Sequence, residues 1–184
     1  MYNLYDPTTL ANLCRNFDLR PSKQYGQNYL IEPGVIESML DVAGVSPEDT
    51  VVEVGPGFGV LTEALAPLVK RLISFEIEKK LSIYWEKRRL QFPSLELVWG
   101  NVLRQEDFFR SLGTYKVVAN IPYQITSPLL RLFLEDVPTP TTLTLLVQKE
   151  VAERICAPAG EMSVLSVSVQ YYGEPEIITQ VPRS

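Results

Sequence analysis

From Thr50 onward the chain switches repeatedly between short apolar runs and longer stretches whose apolar positions recur every three or four residues. The first kind reads as buried strand and the second as amphipathic helix. Val51-Val52-Glu53-Val54 is a strand, Gly55-Pro56-Gly57-Phe58-Gly59 a turn, and residues 60–69 a helix. Residues 72–77 form a second strand, 78–91 an amphipathic helix and 95–99 a third strand. A shorter helix over 105–112 leads to a fourth strand at 115–120, and Ser127-Pro128 opens a helix running to about residue 134. The fifth strand covers 142–147 and feeds a helix at 149–156. Residues 164–172 and 176–181 then alternate around Gly173-Glu174-Pro175, which predicts a closing pair of strands. Ahead of the first strand, Leu10, Leu13 and Phe17 stand at helical spacing after a threonine cap, giving a helix over 7–17. Residues 20–30 are too polar and glycine-punctuated for a core element and read as a loop. A helix over 33–43 is opened by Pro33 and closed by Gly44.

Repeated strand–helix units imply a mostly parallel sheet with helices on both faces. With the closing pair, the expected architecture is α/β: a Rossmann-like, seven-stranded, mostly parallel sheet with one antiparallel strand near the edge. No internal repeat or linker interrupts residues 1–184, so one domain is expected. Its 46% hydrophobic content is enough for one core of ordinary size.

Composition narrows the chemistry. There is no histidine, which removes His-based triads and the usual zinc sites, so no metal centre is expected. Cys14 and Cys156 stand far apart and read as free thiols of a reducing cytoplasm. No apolar run approaches the roughly 20 residues of a membrane span, and the amino terminus lacks the pattern of a signal peptide. A net charge of −5 argues against a chain built mainly to coat nucleic acid, although Lys and Arg cluster locally, as at Lys79/Lys80.

Glycines at 55, 57 and 59 let the backbone approach a ligand, and the following helix start offers free N–H groups. The spacing G-x-G-x-G differs from the G-x-G-x-x-G of dinucleotide binders. Glu76 ends the second strand 21 residues after Gly55, where a carboxylate would take two ribose hydroxyls. A nucleoside cofactor with a ribose and no diphosphate fits, and S-adenosylmethionine is the obvious one. Glu53 reads as a buried structural carboxylate accepting backbone N–H groups. Asn101, after Gly100, could recognise an adenine amino group or equally cap the next turn. Asn120-Ile121-Pro122-Tyr123 brings an amide, a carbonyl, a rigid ring and a phenol to a strand's carboxyl end, where open sheets bind ligands. It also reads as a plain strand-to-helix turn.

Taken together, Tyr25-Gly26-Gln27-Asn28-Tyr29-Leu30, the stretch from Glu53 to Thr62, Glu76, Asn120-Ile121-Pro122-Tyr123 and Gln148-Lys149-Glu150-Val151-Ala152-Glu153-Arg154 occur in order. This set resembles the ribosomal RNA adenine N6-dimethyltransferase family, in the branch that dimethylates adjacent adenosines of small-subunit rRNA. The resemblance implies cofactor contacts from Asn28, Leu30, Gly55, Glu76, Asn101 and Asn120, with Gln27 and Gly57 beside the cofactor and Tyr123 stacking on the target base. Asn120 and the Ile121 carbonyl would accept the two N–H bonds of the adenine amine, and Pro122 would hold that carbonyl in place.

Two departures stand out. The family usually has Asp where this chain has Asn101. Its members also continue past Ser184 into a segment with a second base-stacking Phe and a small helical domain, so a methyltransferase domain of weak activity is expected. The implied partner is small-subunit ribosomal RNA within an immature subunit, met by a cytoplasmic monomer with no membrane contact. The related large-subunit methylase of macrolide resistance, which shares Asn-Ile-Pro-Tyr, and a non-catalytic RNA-binding assembly factor are the alternatives.

Overall fold

The computed structural model describes residues 2–19 and 32–181. Helices α1 (Pro7–Asn16) and α2 (Pro33–Ala43) precede the sheet. Then follow β1 (Thr50–Val54), α3 (Val60–Leu65), β2 (Arg71–Glu76), α4 (Ser82–Arg88), β3 (Leu95–Trp99) and α5 (Glu106–Arg110). The chain continues through β4 (Lys116–Asn120), α6 (Thr126–Arg131), β5 (Leu143–Leu146), α7 (Lys149–Ile155) and α8 (Val164–Tyr172).

The strands lie in the order β3-β2-β1-β4-β5, and every pairing is parallel. The chain steps outward from β1 to β3, then returns to lay β4 against the other side of β1. Strand order thus reverses between β1 and β4, and a crevice opens beyond their carboxyl ends.

Alternation along the strands decides which side chains face it. Val52, Val54, Ile73, Phe75, Val117 and Ala119 pack against α5 and α6, with Phe109, Leu129 and Phe133. Val51, Leu72 and Val118 point the other way, onto Ile36, Leu61 and Leu65 of α2 and α3. Period two therefore puts Glu53, Ser74, Glu76 and Asn120 on that second face, at the ends of the three central strands. Burial on both faces explains why these strands read as unbroken apolar runs. Helices α1 and α4 add a third cluster in which Leu10, Leu13, Tyr84 and Trp85 close over Phe58.

Several expectations need correction. Among the described residues the sheet has five strands, not seven, and no antiparallel member. Val164–Tyr172 is helix α8, although its valines alternate like a strand. Ser163 caps it in a reciprocal box with Ser166, and Ser166 Oγ also donates to the Arg154 carbonyl at 2.6 Å. Gln170 Nε2 donates to the carbonyls of Ile155 and Ala157, so α8 is fastened along its length to the end of α7. Its buried positions, Ser166 and Val169, fall at helical spacing while Val164 and Val167 face outward. Residues 173–181 join no strand.

At the other end Asp6, not a threonine, caps α1, accepting from the amides of Thr8 and Thr9. The stretch 78–91 is not one helix: α4 is flanked by 3-10 turns on both sides. The helix expected over 60–69 stops at Leu65.

Candidate active site

The β1–α3 turn is shaped by glycine backbone and fastened from outside. Gly55, Gly57 and Gly59 have φ of +74°, +54° and +95°, values L side chains rarely adopt. A Cβ on Gly59 would also stand 2.9 Å from the Trp85 ring, so any side chain there would strain the turn and force the ring to shift. Trp85 Nε1 donates to the Gly57 carbonyl at 2.9 Å, and Tyr84 Oη to the Phe58 carbonyl at 2.7 Å. Each ring is buried and needs an acceptor for its polar tip, and the loop's outward carbonyls supply one.

Glu76 binds the loop from the β2 side. Its Oε2 accepts from the Gly57 amide at 3.1 Å and its Oε1 from the Glu78 amide at 2.7 Å. Burial pushes the Glu76 carboxyl upward, opposed by N–H bonds from Glu78, Gly57 and Ile77. A carboxylate has about four lone-pair sites, so these backbone bonds leave it able to accept a further donor from the cleft. Glu53 is more deeply held. Its Oε2 accepts from Thr62 Oγ1 at 2.8 Å and Ser74 Oγ at 2.6 Å, hydroxyls in place of the expected backbone N–H groups. Desolvation raises the Glu53 carboxyl to about 7, against those two bonds and with Glu76 adding to the rise.

Across the crevice β4 ends at Asn120. The Ile121 amide donates to the Leu146 carbonyl at 3.3 Å, carrying the β4–β5 pairing one residue past the strand. Pro122 then turns the chain with φ −58°, and its carbonyl accepts from the Ile125 amide at 3.1 Å. Tyr123, half-buried, opens that 3-10 turn, and Thr126 Oγ1 donates to its carbonyl.

These groups line one open cleft of about 770 Å³, of the size that holds small cofactors. It contains Gly55, Gly57, Glu76, Asn101, Asn120, Ile121 and Pro122 of the expected site. Tyr123 is not on its lining, where Gln124 and Ile125 stand instead. Gln27, Asn28 and Leu30 lie outside the described residues. Asn101 takes the capping role foreseen as its alternative: its Oδ1 accepts from the Leu103 amide at 3.0 Å. Ile77 and Val102, each one residue beyond an expected ligand, form an apolar part of the lining.

Sequence reasoning missed the loop's fastening by Tyr84 and Trp85, and Glu53's place in the cleft wall. It missed the rim too, where Lys80 Nζ donates to the Asp18 carbonyl at 2.7 Å and to its carboxylate at 2.8 Å. The one available signal was the acidic residue inside an apolar strand. Nothing local marks the rest.

The family described as "Ribosomal RNA adenine dimethylase" matches residues 19–184 of the chain. A protein of Dehalococcoides mccartyi named "Ribosomal RNA small subunit methyltransferase A" is 38% identical over 172 residues, 92% of this chain and 59% of its own length. A like-named protein of Moorella thermoacetica is 40% identical over 189 residues, covering 96% of this chain and 65% of its own length. The chain thus spans about three-fifths of the length of these relatives. Among solved structures, a dimethyladenosine transferase from Plasmodium falciparum superposes with TM-score 0.66 and 32% identity, over 76% of this chain and 50% of its own. The 23S rRNA methyltransferase ErmE gives 0.68 and 31%, over 76% and 56%. With these matches running through the glycine turn, both carboxylates and the end of β4, the chain belongs to the ribosomal RNA adenine dimethylase family.

Proposed function

We propose that this chain carries the cofactor and target-amine sites of an S-adenosylmethionine-dependent enzyme that dimethylates N6 of adenosines in small-subunit ribosomal RNA. The observation that carries the reading is the meeting of the glycine turn and Glu76 with Asn120-Ile121-Pro122 in one crevice. The crevice suits the cofactor: it has the volume, a glycine backbone open to close approach, a carboxylate for ribose and an apolar lining at Ile77 and Val102.

A bound cofactor would supply an electrophilic methyl, with the bonding pair kept by sulfur and the amine's proton passing to water. The chain's part is positioning. The adenine N6 lone pair is delocalised into the ring and is a poor nucleophile. Asn120 Oδ1 and the Ile121 carbonyl accept the two N–H bonds, which favours a pyramidal nitrogen with its lone pair toward the methyl. Pro122 fixes the carbonyl's direction, since its ring locks φ. Tyr123, just beyond the lining, offers a stacking face to a base taken out of its helix. Asn101 holds the turn after β3, and the second lone pair of its Oδ1 would accept from the adenine amino group.

The names of the curated relatives favour the small subunit over the large-subunit substrate of ErmE. The reading includes a cytoplasmic, monomeric protein acting on immature subunits. Among the described residues no helix is long and apolar enough to cross a membrane, and no metal-binding cluster is found. The test is transfer of labelled methyl to immature small subunits, with dimethyladenosine identified after digestion. Label confined to naked large-subunit RNA would reassign the substrate. No cofactor binding at millimolar concentration would end the reading.

A further inference from the structure

Glu53 and Glu76 are both buried, lie on the same sheet face at the ends of adjacent strands, and both line the cleft. Their environments differ. Glu76 accepts backbone amides on both oxygens, whereas the two bonds described at Glu53 fall on Oε2 alone. Burial chiefly, and to a lesser degree the charge of Glu76 diagonal to it across the β1–β2 register, favour the protonated form at Glu53, the less stabilised of the two. The groups facing Glu53 are few. Strand β2 contributes Ser74 and Glu76, α3 contributes Thr62, β4 presents Asn120 on the same face, and α2 contributes the apolar Ile36. Glu78, Lys80 and Asp18 stand on the cleft lining, with Lys80 paired to Asp18. No cation of the described chain neutralises Glu53.

We propose that Glu53 holds a proton in the empty cleft and releases it when the cationic methyl donor enters, so that it favours the sulfonium cofactor over the neutral thioether product. The step balances simply: the Glu53 O–H bond breaks, its electron pair stays on the carboxylate, and the proton goes to water. The cofactor's fixed positive charge replaces the proton as the partner of the second carboxylate. After methyl transfer that charge is gone, Glu53 takes a proton back, and the product is held less tightly. The ordinary carboxyl value is displaced to about 7 by burial, which places the exchange in the working pH range.

This inference rests on the cleft binding S-adenosylmethionine, and one experiment separates the two. Titration calorimetry of the protein in two buffers of different ionisation enthalpy counts protons exchanged on binding. At pH 6 an α-amino group stays protonated in donor and product alike, so it adds nothing. S-adenosylmethionine is expected to release close to one proton at pH 6, and S-adenosylhomocysteine less than half as many. Glu53→Gln should abolish the release and cut the preference for donor over product about tenfold. Should that variant fail to fold, Ser74→Ala removes one stabilising hydroxyl and should increase release at pH 7.5 relative to the wild type. Donor binding without proton release, equal release by product, or undiminished release in Glu53→Gln would each overturn the inference and leave the cofactor reading intact. Absence of donor binding would remove both.

Discussion

On the β1–β2 wall of the crevice, every bond described involves a side chain, and most of them hold backbone. Trp85 and Tyr84 take the carbonyls of Gly57 and Phe58, Glu76 takes the amides of Gly57 and Glu78, and Thr62 and Ser74 grip Glu53. On the β4 wall, two of the three bonds described join main-chain atoms alone. Ile121 N reaches Leu146 O, Ile125 N reaches Pro122 O, and Thr126 Oγ1 reaches the Tyr123 carbonyl. The difference follows from what each wall has to do. A loop of three positive-φ glycines has little conformational preference of its own, so distant side chains must fix it. A strand that ends in Asn-Ile-Pro needs less help, because the sheet fixes one side and the proline ring the other. Substitutions on the first wall should therefore affect cofactor binding and stability, and those on the second should affect turnover.

The sharpest break of that contrast is Asn120→Ala. It should cut methyl transfer about 100-fold or more, as loss of a positioned acceptor does, while calorimetric cofactor affinity changes only a few-fold. A variant with near wild-type kcat would contradict the division of labour between the walls. Glu53 gives the next largest effect, now on stability. Its folded-state value is raised to about 7 from an ordinary 4.5, so the folded protein binds the extra proton between those limits. Stability from this group is full below pH 4.5 and lost as pH rises through 7, on the order of 3 kcal/mol. Urea midpoints of Glu53→Gln minus wild type should therefore grow from pH 5 to pH 8, and a flat difference would refute the assignment.

Gly59→Ala should cost about 1–3 kcal/mol, because it combines a φ of +95° with a clash against Trp85, and should weaken cofactor binding in parallel. An alanine there that leaves both thermal midpoint and affinity unchanged would show the loop to be less constrained than its geometry implies. Removing the ring in Tyr123→Ala should raise the KM for RNA by about tenfold or somewhat more, in line with the 1–3 kcal/mol of base stacking, while Tyr123→Phe stays near wild type. The smallest effect belongs to Asn101→Asp. Both residues can cap the Leu103 amide, so stability should hold and cofactor affinity rise by no more than a few-fold.

The strands at 51–54, 72–77 and 115–120 were legible because each is buried on both faces and so nearly unbroken in its apolar character, and the half-buried edge strand at 95–99 was legible from its short apolar run. Residues 164–172 misled for a physical reason. Their valines alternate with serines at period two, yet Ser166 and Gln170 find partners on α7 only in a helix. Gly55, Gly57, Glu76 and Asn120 could be picked out because turn glycines and polar strand ends are unusual locally. Tyr84 and Trp85 could not, since a helix's apolar stripe looks the same whether or not its polar tips reach a loop.

What the sequence by itself determined is the set of elements and the residue types offered at their ends: alternating apolar runs, a glycine turn, an acidic strand terminus and Asn-Ile-Pro-Tyr. These are properties of spacing and of backbone sterics, which act over a few residues. Only the tertiary structure decided that β4 returns to lie beside β1, which brings Asn120 to the crevice that Gly55 and Glu76 share. It alone decided the protonation balance between Glu53 and Glu76, because a carboxyl's charge depends on the water it loses and the neighbours it gains, and both are set by chain segments remote in sequence.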